Sequence, residues 1–145
     1  MDIPHLPFNR LIGLARCASP DQGQFMLPDS ADYTNHLGTV HAGALFTLAE
    51  SACGECLLAR FKDLVEHERL IPVVRGATVK YRKPGTGAVT ASAQIADHVV
   101  GETRASLARK GRALIPVSAT VTDSTGAIIM TATVEWFVQL DRSNG

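Results

Sequence analysis

Hydrophobic and polar positions alternate with period two along four stretches in the second half of the chain, residues 73–83, 87–96, 113–123 and 127–139. In the last of these, Ile128, Met130, Ala132, Val134 and Trp136 fall on one parity, and Thr131, Thr133 and Glu135 on the other. Such alternation with β-branched enrichment predicts half-buried antiparallel strands. The turn residues Lys83-Pro84-Gly85-Thr86-Gly87 and Asp123-Ser124-Thr125-Gly126 predict two hairpins. Nearer the start, residues 11–18 and 24–28 read as shorter strands around Ser19-Pro20-Asp21-Gln22-Gly23, and 31–40 as a polar loop. Residues 3–14 mix Pro4, Pro7 and apolar side chains and predict a short docking segment. One long helix is predicted over 42–61, rich in Ala and Leu, free of proline, and uncharged around its whole circumference from Ala42 to Ala49. A helix apolar on every side is a buried one. A second, short helix is predicted over 101–110. The expected fold is α+β, a curled antiparallel sheet wrapped around one long central helix, with the other sheet face left for another subunit.

Composition narrows this little. The chain of 145 residues is 46% hydrophobic and 19% charged, which fits a single globular domain over 1–145 and excludes intrinsic disorder. With 14 basic and 14 acidic residues it has no net charge, so nucleic acid is not an expected partner. No apolar run reaches 18 residues and the N-terminus has Asp2 and no apolar stretch, so neither a membrane span nor a signal peptide is expected. Cys17, Cys53 and Cys56, an odd count with no export signal, read as reduced thiols of a cytoplasmic protein. Cys53-Gly54-Glu55-Cys56 lies deep inside the predicted helix, away from the N-terminus that activates a redox pair, and reads as core. No metal-ligand spacing is present among the histidines and cysteines, and no metal is expected. Locally the charge is uneven: residues 75–112 hold eight bases (Arg75, Lys80, Arg82, Lys83, Arg104, Arg109, Lys110, Arg112) against Asp97 and Glu102. That excess is either a solvated face or a patch for a phosphorylated small molecule.

The candidate chemistry lies where the long helix begins. Asn35-His36-Leu37-Gly38-Thr39-Val40-His41-Ala42-Gly43 enters the helix through small residues, so the backbone N–H groups of Ala42 and Gly43 are open to a developing oxyanion. Glu50 is the first charge on the helix. At 100° per residue it shares a face with Gly43, Phe46, Thr47, Cys53, Gly54 and Leu57, surroundings that raise a carboxyl pKa by desolvation. Spacing alone leaves two readings, a structural carboxylate pairing with a basic neighbour or a functional one. His41 reads as a structural residue at the helix start. There is no Gly-x-Ser-x-Gly elbow.

This stretch resembles the hotdog-fold acyl-CoA thioesterases of the PaaI type, whose signature is Asn-x-x-Gly-x-x-His-Gly-Gly followed by an apolar turn and an acid. The match is tightest over residues 33–54 and extends through the order of elements over 7–139, including Tyr81-x-x-Pro84. The resemblance implies that Asn35 orients the acyl group or water, that the Ala42 amide polarises the thioester carbonyl, and that Glu50 is the general base or nucleophile. It implies substrate contacts from His41, Phe46 and Thr47. Lys80, Arg82 and Lys83 are implied as contacts to coenzyme A, which enters as part of the substrate with no separate cofactor. It also implies a homodimer or dimer of dimers with the site at the subunit interface. Three positions depart from the pattern. Ala42 stands for the usual glycine, Glu50 for the commoner aspartate (glutamate serves in the 4-hydroxybenzoyl-CoA thioesterase branch), and Val74 lies where some members carry a hydroxyl. The competing reading is a non-catalytic acyl-CoA or lipid-binding module on the same fold. A hydratase would want an Asp/His pair, for which His41 and Glu50 are a poor substitute.

Overall fold

The structure is a computed structural model that describes residues 1–67 and 69–141. The one-domain reading over 1–145 thus includes residues 68 and 142–145, which lie outside the described residues. Six antiparallel strands form one sheet in the order β1-β2-β4-β5-β6-β3: β1 (Ala15–Arg16), β2 (Phe25–Leu27), β3 (Leu70–Tyr81), β4 (Val89–Gln94), β5 (Arg112–Thr122) and β6 (Ile128–Leu140). The sheet curls around α2 (Ala42–Arg60), and the arrangement is the hotdog fold. By length and composition α2 is apolar enough to cross a membrane. Yet Leu48, Ala49, Ala52, Cys53 and Leu57 are completely buried, each leucine contributing about 2 kcal/mol of hydrophobic stabilisation against the sheet.

Several expectations are corrected. The run 11–18 is not a strand: Pro7 opens a short helix, α1 (Pro7–Leu11), as proline at the first helical position does, and only Ala15 and Arg16 pair with β2. A helix α3 (Lys62–His67) follows α2 directly, and the inserted helix α4 (Asp97–Lys110) begins four residues before the predicted Gly101. The turn at 83–87 is no hairpin. β3 pairs with β6 at the sheet edge, so the chain leaving β3 crosses to β4 on the far side of β5. Gly85 makes that passage close against β6, where a Cβ would overlap the Ile129 side chain. The turn at 123–126 does join β5 to β6, with Asp123 Oδ1 accepting from the amides of Thr125 (3.0 Å) and Ala127 (3.2 Å). A register shift next to it, between Val121 and Thr122, turns Ile128 outward and Ile129 inward, against the simple parity of the strand.

Candidate functional site

The start of α2 is built by the loop before it. Asn35 Oδ1 accepts from the amides of Leu37 (2.9 Å) and Thr39 (3.2 Å), and Asn35 Nδ2 donates to Thr39 Oγ1 (3.0 Å). The Asn35 side chain therefore folds the loop on itself. The His41 amide donates to Tyr33 O (2.6 Å), the Val40 amide to Gly85 O (3.0 Å), and the Tyr33 hydroxyl to Ile12 O, which together fix the approach to the helix. His41 is the N-cap residue. Its Nδ1 accepts from the Gly43 amide (2.8 Å), so the neutral ring carries its proton on Nε2. The fit is close: a Cβ at 43 would sit 3.1 Å from His41 Nδ1, so the ring would have to shift by a few tenths of an ångström. The amides of Ala44 and Leu45 bond back to His41 O. Of the two donors expected from the sequence, Gly43 is thus already taken, and Ala42 N–H alone has no partner among the described residues. That N–H lies at the positive end of the helix dipole. It borders a cleft of about 340 Å³ lined by Asn35, Thr39, Tyr81, Arg82, Lys83 and Pro84. Tyr81, which the sequence reading did not single out for the site, donates from its hydroxyl to Ala42 O (3.3 Å) and so ties the end of β3 to the helix start.

Glu50 sits in a different cavity. It is half-buried, and no hydrogen bond or ion pair reaches its carboxylate among the described residues. Burial pushes the carboxyl pKa above its ordinary value. The cavity, about 160 Å³, is lined by Ser51, Gly54, Leu58, Pro72 and Trp136 and by the N-terminal residues Met1, Ile3, Leu6 and Asn9. Ser51 Oγ and Trp136 Nε1, both buried, also lack partners among the described residues. Orphaned buried donors are rare in native proteins. Of the neighbours expected from helical spacing, only Gly54 lines this cavity. Cys53 and Leu57 lie in the core, Phe46 packs partly buried against it, and Thr47 Oγ1 donates to Gly43 O (2.9 Å).

Other candidates are dispersed. Arg82 and Lys83 line the Ala42 cleft, but Lys80 faces a separate groove on the sheet with Thr78, Ser118 and Thr131. The basic stretch does not form one patch: Arg104 pairs with Asp63 (2.8 Å) and lies over the Phe61 ring. Glu55 points away from Glu50 and pairs with Arg16 (2.6 Å). Cys53 is buried and its thiol is pushed up to about 12 by desolvation first, then by Cys56 and Glu50, which suits a core residue and not a nucleophile. Val74 is exposed on β3. Among the described residues no group of three or more His, Cys, Asp or Glu gathers in a metal-binding arrangement.

A family described as a domain of unknown function (DUF4442) matches residues 8–138. Among solved structures, the chain is similar to PA5026 of Pseudomonas aeruginosa, a protein of unknown function described as a probable thioesterase, at 23% identity and a TM-score of 0.77, covering 96% of this chain and 91% of that one. It is similar to a protein of unknown function from Chlorobaculum tepidum at 18% identity and a TM-score of 0.78, covering 94% and 88%. It is also similar to BH2602 of Bacillus halodurans, crystallised with CoA, at 23% identity and a TM-score of 0.62, covering 79% and 69%. No curated protein matches. Likeness at these identities speaks for the fold.

Proposed function

Since this chain belongs to the DUF4442 family, we propose that it is an acyl-CoA thioesterase whose site is completed between two copies of the chain. One observation carries the reading: Glu50, whose carboxylate has no partner among the described residues, and the amide of Ala42, vacant among those residues, lie on the same helix and open into different cavities. Eight residues at 1.5 Å rise separate them by about 12 Å along the axis, and their cavities share no lining residue. The thioester carbon must lie about 3 Å from the attacking water, with its carbonyl oxygen in hydrogen-bond reach of the donor N–H and the water in reach of the base. The reaction therefore needs Glu50 of one copy opposite Ala42 of the other.

The free edge of β3 supports such a homodimer. It is the last strand of the sheet on its side, exposes Ile71, Val73 and Val74, and contributes Pro72 to the Glu50 cavity. A long apolar edge of this kind is a template for pairing with another chain. At the joined site the thioester carbonyl oxygen accepts from Ala42 N–H, and Glu50 takes a proton from water as the water oxygen attacks the carbonyl carbon. Collapse of the tetrahedral intermediate breaks the carbon–sulfur bond, and the thiolate leaves as coenzyme A with the proton returned from Glu50. Arg82 and Lys83, beside the Ala42 cleft, are the cations placed to meet the phosphates of coenzyme A, a ligand that the Bacillus halodurans neighbour was crystallised with.

The test is thiol release from a panel of short, long and aromatic acyl-CoAs. Release is the expected result. Thermal stabilisation by the same compounds with no release from any of them would replace the enzyme with an acyl-CoA-binding module.

A further inference from the structure

Resting on the thioesterase reading, we infer that the Glu50 cavity is the subsite for a compact acyl group, and that the N-terminal segment sets its size through Ile3 and Leu6. The cavity holds about 160 Å³. An apolar protein cavity of about 150 Å³ accommodates a benzene ring, so the acyl portion that fits is a single ring or a chain of about six carbons. Its walls are apolar apart from Glu50, Ser51 and Asn9 and the indole N–H of Trp136. A long-chain acyl group would have to extend out of it.

One wall belongs to residues that precede the first strand. Ile3 is only 4% exposed, and its Cδ1 lies 3.5 Å from where a Cβ of Gly54 would stand, so it closes the cavity down onto α2. The segment is held in place by buried Asn9, whose Nδ2 donates to Ile3 O (3.0 Å), and by Asp2, whose carboxylate meets Arg16 (3.6 Å). Leu58 and Pro72 stand on the helix and strand sides of the same space. Ile3 belongs to the hydrophobic core, whereas Leu6 is 39% exposed and has no such core role. Contact with the space beside the carboxylate gives Leu6 a task. Burial beside this cavity disfavours the charge on Glu50.

The test uses full-length Glu50→Gln protein, which keeps a side chain of the same shape and turns substrate over about 10²–10⁴ times more slowly. Calorimetric titration with hexanoyl-, benzoyl- and hexadecanoyl-CoA is expected to show the first two binding at least about tenfold tighter than the third or than coenzyme A alone. Ile3→Ala and Leu6→Ala, each added to that background, are expected to shift the preference to octanoyl- or decanoyl-CoA. The Leu6 variant is informative even if the more buried Ile3 variant folds poorly. Equal affinity across chain lengths, or tightest binding of hexadecanoyl-CoA, overturns the proposal even if wild-type protein hydrolyses thioesters. Size-selective binding that moves with Ile3 or Leu6 supports it even if wild-type protein releases no thiol, a result that would sink only the hydrolytic reading.

Discussion

Ala42→Pro is expected to lower kcat by about 10²–10³, the cost of removing one oxyanion donor, while the protein stays folded. Proline deletes the Ala42 N–H and nothing else the fold uses, because that amide has no partner among the described residues. The position is the first residue of α2, where proline's fixed φ suits the helix and its missing donor is one the helix does not need. The preceding residue is also compatible: His41 has φ −63° and ψ 136°, the extended conformation that a following proline demands. An interaction formed only with the developing oxyanion should appear in kcat with little change in KM. Ala42→Gly, which keeps the amide, should retain wild-type turnover. An Ala42→Pro protein that is folded and fully active would remove the helix start from the chemistry.

Glu50→Gln is expected to cost more, about 10²–10⁴ in kcat for loss of the general base, and to leave the protein more stable at neutral pH. The second effect follows from the direction of the pKa. Burial raises the folded-state value above the ordinary 4.5, so the folded chain holds this proton to higher pH than the unfolded chain does. Between the two values unfolding releases the proton, and stability is lost as pH rises through that window. Glutamine has no charge to bury. Its thermal midpoint should exceed wild type at pH 7 and converge with it below pH 4.5. Wild-type turnover should rise with pH through the same raised value, since only the carboxylate accepts a proton. A variant less stable than wild type at neutral pH would mean that Glu50 is paired in solution, and a variant with unchanged kcat would remove it from the mechanism.

Much of this was written in the sequence. The long helix was legible in its composition and ends one residue from the expected position, but its uncharged first half is not buried all round: Ala42 and Gly43 are exposed, and Ala44, Phe46 and Thr47 are partly so. The stretch from Asn35 to Gly43 pointed to the helix start, and the first charge on the helix pointed to Glu50. What stayed hidden depended on parts of the chain distant from each residue. The glycine and proline of 83–87 specify a turn but not which strand it leads to, so the crossing from β3 to β4 looked like a hairpin. Strand parity failed at Ile128 because one irregular pairing opposite it reverses the faces. The capture of the Gly43 amide by His41 was not foreseen because histidine is not among the usual N-cap residues. The cavity at Glu50 could not be read from helical spacing, because more than half its lining comes from Trp136, Pro72, Met1, Ile3, Leu6 and Asn9. Separation of Glu50 and the Ala42 amide along one helix is simple arithmetic, and it becomes meaningful only when they prove to open into different cavities.

That separation is tested most directly by mixing. Ala42→Pro and Glu50→Gln proteins, each nearly inactive alone, are co-incubated under conditions that exchange subunits, and thiol release from an acyl-CoA is followed. In a mixed dimer the Glu50 of one chain faces the intact amide of the other, giving one working site of two. Random exchange makes about half the dimers mixed, so activity is expected to climb to about a quarter of wild type. Activity that stays at the average of the two variants after complete exchange would contradict a site shared between chains.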